Sequence, residues 1–153
     1  GAAAGDIRTS QLPFYCKYLV LASYLASYTP PALDMSYFSG VYDSKRRRKR
    51  KTPKARAKAK AELQRQCRAP RKFPLGRMMA IFWAILPEKH MDLPNSWELW
   101  SQVRKLERAG LLKRVSSAES TDFPTYKSSV DLDAAIGVAK QVGFNMMLYL
   151  GDQ

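Results

Sequence analysis

The sequence predicts a mainly α-helical protein with a small β wing: a helical segment, a basic connector, and then a winged helix-turn-helix domain. Three observations predict it. Of the 26 Lys and Arg residues, 15 stand between Lys45 and Lys72 beside a single acid, Glu62, so this stretch carries +14 and the rest of the chain −1. On either side of it, apolar residues recur at helical spacing and are punctuated by Pro and Gly. After Gly110 the pattern changes to two short runs rich in β-branched and apolar residues. The 153 residues, 46% of them apolar, suffice for the core of one domain or of two very small ones.

The opening Gly1 to Gly5 has neither a Met nor a secretory apolar region and reads as an appended or cut edge, so the chain reads as a piece of something longer. Residues 6–42 form the first helical segment. Thr9, Ser10 and Gln11 offer caps before a helix from about Leu12 to Tyr28, in which Tyr15, Tyr18, Leu19, Ala22, Leu25 and Ala26 follow the helical period. Its other side carries Val20, Leu21 and Tyr24, so the helix is apolar nearly all round and belongs inside a core. Pro30 and Pro31 stop it, and a short helix around Met35 to Phe38 follows. The eleven uncharged residues from Tyr18 to Tyr28, preceded by Lys17, are too few to span a bilayer, which needs about 20.

Residues 43–72 are the basic linker, expected to be flexible. Like charges this dense cannot be folded compactly, because Lys and Arg are rarely buried unpaired. The stretch needs solvent or a polyanion, and from Pro53 to Arg68 its Ala spacing allows an exposed helix once phosphates neutralise it.

Residues 73–153 read as the winged-helix domain. Leu75, Met78, Met79, Phe82, Ile85 and Leu86 mark one face of a helix ended by Pro87. Only a single helical turn fits between Pro87 and Asn95. Asn95 and Glu98 are spaced as a cap and its partner at the start of a helix with Leu99, Trp100, Val103 and Leu106 inward, and Gly110 closes it. The runs Leu111 to Ser116 and Thr125 to Val130 are two wing strands separated by the polar stretch Ser117 to Asp122. Asp131 caps a last helix carrying Leu132, Ile136, Ala139, Met146 and Leu150. Helix, linker, helix, Gly and two strands is the order of a winged helix-turn-helix.

No convergent set of titratable groups suggests catalysis. His90, the single histidine, sits in a Pro-flanked turn and reads as a loop histidine; with Cys16 and Cys67 it cannot supply four zinc ligands. The two cysteines lie in such different company, one in an apolar helix and one in the basic run, that reduced thiols are the expectation. No G-x-x-x-x-G-K-[ST] loop is present to cradle a triphosphate. We therefore expect no catalytic residues, no metal and no cofactor in this chain. Trp97 and Trp100 are expected in core packing rather than base stacking, and Met78, Met79, Met146 and Met147 as core filler.

The strongest candidate site is the run Lys45, Arg46, Arg47, Arg48, Lys49, Arg50 and Lys51, extended by Lys54, Arg56, Lys58 and Lys60. It matches a phosphate backbone in charge, carries no base-reading pattern, and also has the composition of a nuclear import signal. A second, weaker candidate for DNA or partner contact is Arg104, Lys105 and Arg108, which with Ser101 form one solvent stripe on the Asn95-capped helix. Residues 73–153 hold 9 bases and 9 acids, so a phosphate gains little from that domain as a whole.

Leu12-Pro13-Phe14-Tyr15-Cys16-Lys17-Tyr18-Leu19, continuing through Ala22 to Tyr28, resembles the lid-region helix of the subunit 5 family of the origin recognition complex. Phe73-Pro74-Leu75-Gly76-Arg77-Met78-Met79-Ala80-Ile81-Phe82 is similar to its first winged-helix segment, Pro124-Thr125-Tyr126-Lys127 to its second wing strand, and Val142-Gly143-Phe144-Asn145 with Tyr149-Leu150 to its C-terminal helix. The resemblance implies a DNA-replication protein of the nucleus. It further implies an ATP-binding module outside this chain, a place in a ring with other origin recognition complex subunits around origin DNA, and a part in loading the replicative helicase. It makes Lys45 to Lys51 the DNA-contacting patch. The run Lys51 to Ala61 also invites comparison with linker histones, or with a winged-helix transcription factor, but linker histones have basic globular domains and residues 73–153 are neutral.

Overall fold

The computed structural model describes residues 9–38, 69–87, 96–116 and 124–150, together with Pro53, Lys54 and Lys58. In chain order the elements are α1 (Phe14–Tyr28), a 3-10 turn (Pro31–Leu33), α2 (Asp34–Phe38), β1 (Phe73–Pro74), α3 (Leu75–Ile85), α4 (Ser96–Arg108), β2 (Leu112–Arg114), β3 (Thr125–Ser128), α5 (Leu132–Val142) and a second 3-10 turn (Met146–Tyr149). The fold is mainly helical with a small antiparallel sheet, as the sequence predicts.

The helix read as apolar all round is the centre of the molecule. Cys16 and every residue from Tyr18 to Ser27 of α1 are buried, and α1 touches α3, α5, β3 and α4. Each fully buried Leu there stabilises the fold by roughly 1.5–3 kcal/mol, and its buried hydroxyls are satisfied: Ser23 Oγ donates to the Val20 carbonyl at 2.7 Å. Residues of α1 and of 73–150 thus share one hydrophobic core. The expected caps at Thr9, Ser10 and Gln11 do not cap α1. Pro13 holds the N-cap position without a side-chain hydrogen bond; the residue before a proline is disfavoured in the helical region, so the helix starts beyond Leu12.

The wing has three strands rather than two, in the order β1-β3-β2. Phe73 pairs with Tyr126 and Pro74 with Thr125, and Leu112 with Ser128 through Arg114 with Tyr126. β1 is too short to show an alternation in sequence, and its proline is tolerated at a sheet edge. In β3, Tyr126 and Ser128 point into the core and Thr125 and Lys127 are half-buried.

α4 buries Leu99, Val103 and Leu106, as expected. Trp100, placed inward from the sequence, is 43% exposed, and Trp97 is 78% exposed, so neither is a core residue. The reason is angular: at about 100° per residue the seam through Leu99, Val103 and Leu106 leaves Trp100 at its margin and Trp97 on the far side. α4 ends as predicted at Gly110, whose φ is 78°. The Leu111 N–H bonds the Leu106 carbonyl and the Gly110 N–H bonds the Glu107 carbonyl, closing the helix, and both leucines are buried. The turn between Pro87 and Asn95, Asn95 itself and the stretch from Ser117 to Asp122 lie outside the described residues.

Asp131 caps α5 by accepting from the Ala134 N–H at 2.8 Å. The helix does not run on to Leu150. Gly143, at φ 70°, takes the left-handed conformation and ends it, with the Phe144 N–H bonded to the Ala139 carbonyl. Leu132, expected inward, is 43% exposed, while Met146 is buried within the following 3-10 turn.

Candidate nucleic-acid interface

Two of the eleven residues proposed from the basic run fall among the described residues: Lys54 and Lys58, both helical and exposed. Lys45, Arg46, Arg47, Arg48, Lys49, Arg50, Lys51, Arg56 and Lys60 lie outside them, as do His90 and Cys67. The described residues on the two flanks of the stretch are tied to the same core. On the N-terminal side, Phe38 stacks on Tyr149 at 5.3 Å, and Tyr149 stacks on Phe144 at 5.6 Å. On the C-terminal side, the Arg71 N–H donates to the Ser27 carbonyl at 2.9 Å and Ser27 Oγ donates to the Arg71 carbonyl at 3.0 Å. Ser27 Oγ also accepts from the Ser128 N–H at 2.9 Å, joining α1 to β3 at the same point.

Arg77, one of the residues in the first winged-helix resemblance, is the polar hub beside this anchor. Its Nε and Nη2 form a bidentate pair with Asp34 at 2.8 and 2.9 Å. Its Nη1 donates to the Ala26 carbonyl and its Nη2 to the Thr29 carbonyl. The α1 carbonyls left without helical partners are therefore taken up in turn, Leu25 by the Thr29 N–H, Ala26 by Arg77 and Ser27 by Arg71. The guanidinium charge also faces the negative end of the α1 dipole. Nothing in the sequence marks this role, because the partners are separated from Arg77 by 43 to 51 positions.

α4 presents Ser101, Arg104, Lys105 and Arg108 to solvent, the stripe expected from their spacing. Among the described residues none of the three cations forms an ion pair. Together with Trp97 and Trp100 they line a shallow trough of about 500 Å³. Trp100 also walls an adjoining apolar groove of about 240 Å³, formed with Leu75, Met79, Trp83, Leu99 and Val103. Beneath α1's first turn, burial pushes the Cys16 thiol up to about 11, with Lys105 partly opposing the shift. Cys16 is free. Burial likewise raises the phenol of Tyr126. Among the described residues, no cluster of three His, Cys, Asp or Glu gathers to hold a metal, and no helix is long and apolar enough to cross a membrane.

Residues 12–150 match the family described as origin recognition complex (ORC) subunit 5 C-terminus. Origin recognition complex subunit 5 of Homo sapiens is 32% identical over 142 residues, covering 93% of this chain and 31% of the relative. Its Drosophila melanogaster counterpart is 32% identical over 144 residues, covering 93% and 30%. The chain thus spans about a third of the length of these curated relatives. A solved chain from the structure of Drosophila ORC bound to DNA superposes with a TM-score of 0.55 at 24% identity, covering 93% of this chain and 31% of that one, and shows the same fold. Because the model of that family's C-terminal region matches residues 12–150, the chain belongs to the origin recognition complex subunit 5 family and corresponds to its C-terminal region.

Proposed function

We propose that this region is a non-catalytic part of an origin recognition complex subunit that works in the nucleus, meets DNA through its basic connector and meets protein partners through its neutral folded body. In this reading residues 6–42 are the lid-region segment, 43–72 the connector and 73–153 the winged-helix domain. The DNA contacts are Lys45 to Lys51 with Lys54, Arg56, Lys58 and Lys60, and Arg104, Lys105 and Arg108 form a weaker contact to DNA or to a partner. The protein partners are other subunits of the complex and the factors that load the replicative helicase.

One observation carries the reading: +14 of charge is concentrated in residues 45–72 while the remainder of the chain is at −1. Phosphate attraction therefore has one source, and it is sequence-independent. That a fold of this kind occurs in an ORC structure bound to DNA supports the assignment of the polyanion as DNA.

The test is duplex binding by the full chain, followed by fluorescence anisotropy. Replacing the seven residues Lys45 to Lys51 with Ala is expected to weaken binding by roughly a hundredfold or more at moderate salt, since about six phosphate contacts are lost. Replacing Arg104, Lys105 and Arg108 should cost no more than about tenfold. Undiminished binding by the seven-residue variant would refute the reading.

A further inference from the structure

All three tryptophans of the chain, Trp83, Trp97 and Trp100, stand at one place, and all three are substantially exposed, at 43%, 78% and 43%. Tryptophan is highly buried on average in folded proteins, and a cluster of exposed indoles marks a surface that is covered in use. The cluster borders two adjoining hollows that share Trp100: the apolar groove with Leu75 and Met79 at its base, and the trough edged by Arg104, Lys105 and Arg108. The three cations form no ion pair among the described residues. They are thus available to external carboxylates.

We propose that this face of α3 and α4 is a docking site for an acidic protein segment that carries a bulky apolar side chain. The apolar side chain enters the groove beside Trp83 and Trp100, and carboxylates lie along Arg104, Lys105 and Arg108. This deepens the protein-partner half of the proposed function and rests on it. Two features favour protein over DNA. The folded domain is neutral, so a duplex gains little there from phosphate attraction. Among the described residues, the leading end of α4, which a groove-reading helix would present to base edges, displays two bulky exposed indoles with one donor each. Trp and Arg are, in contrast, the residue types that dominate protein interfaces.

Because every tryptophan of the chain lies at the site, intrinsic tryptophan emission reports occupancy without a label. Two short synthetic peptides serve as probes, one of Glu and Ser alone and one with a central Leu-Phe pair between Glu and Asp residues. They are titrated into the full chain and into the variant with Lys45 to Lys51 changed to Ala, which about halves the charge of the basic stretch and so weakens non-specific attraction to it. The peptide with Leu-Phe is expected to give a saturable emission change of equal affinity in both backgrounds, and the purely acidic peptide none. Trp100→Ala and the pair Arg104→Glu with Lys105→Glu should each weaken binding by about tenfold or more. These side chains are exposed, so unchanged circular dichroism and thermal unfolding will verify that the variants fold. The absence of saturation, an equal response to both peptides, or variants that bind the peptide normally while losing duplex DNA as severely as the seven-alanine chain would each overturn the proposal. Persistent DNA binding by the seven-alanine chain would instead remove the basic-run reading and leave the peptide result standing.

Discussion

Replacing Arg77 with Met keeps most of the apolar stem and deletes the guanidinium that holds Asp34 and the end of α1 together. Five contacts are lost: two to the Asp34 carboxylate, one to the Ala26 carbonyl, and one each to the Thr29 carbonyl and hydroxyl. A hydrogen bond to a charged group contributes about 1.5–3 kcal/mol net, and stripping one partner from a buried pair costs roughly 3–5 kcal/mol. Arg77 is 11% exposed but Asp34 is 31% exposed, so the freed carboxylate recovers part of its hydration and the cost falls to about 2–3 kcal/mol. In a chain of 153 residues that lowers the melting temperature by roughly 5–10 °C. Arg77→Lys should fall between, because an ammonium keeps the charge at the helix end and cannot make the two-pronged contact. A cycle with Asp34→Asn should show a coupling of about 1 kcal/mol or more. Urea unfolding followed by circular dichroism measures all of these. A loss below about 0.5 kcal/mol for Arg77→Met would refute the claim that this hub ties α1 and α2 to α3.

Two further outcomes follow from the core. Leu25, fully buried in α1, should cost about 2–5 kcal/mol when changed to Ala, with secondary structure and tryptophan emission lost in one transition; separate transitions would show that residues 73–150 fold without α1. The Cys16 thiol, raised by burial from 9.0 to about 11, is a group whose neutral form the fold favours. Its contribution to stability is complete below about 9 and is lost as pH rises toward about 11. Alkylation of Cys16, mapped by mass spectrometry, should therefore be slow in the folded chain near neutral pH and fast in urea, whereas rapid labelling of the native chain would contradict the burial.

What was legible in the sequence was what short-range chemistry controls. Apolar residues on every side of α1 announced a central helix, Gly110 and Asp131 announced their caps, and the spacing of Ser101, Arg104, Lys105 and Arg108 announced an exposed stripe. Features that depend on distant partners were not legible. The bridging of α1 to Arg71, Arg77 and Ser128 joins residues far apart in the chain, and β1 exists only because β3 lies beside it. The exposure of Trp97 and Trp100 is decided by helical angle, whereas their hydrophobicity alone points to the core. The end of α5 at Gly143 is masked in the sequence by an apolar period that continues through Met146 and Leu150, although a glycine at that point is the usual sign of a left-handed stop. For the site, the basic run is visible as composition, whereas the groove beside Trp100 needs α3 and α4 to be brought together.

The central claim, that electrostatic contact from residues 45–72 anchors this region on DNA, is tested most directly by the salt dependence of duplex affinity. For about six neutralised phosphates, log K should fall with log salt at a slope of about −5, a loss of roughly a thousandfold between ~50 and ~200 mM. Changing Lys45 to Lys51 to Ala should flatten that slope to about half or less. An affinity that barely responds to salt, or a slope that the substitution leaves intact, would contradict the account.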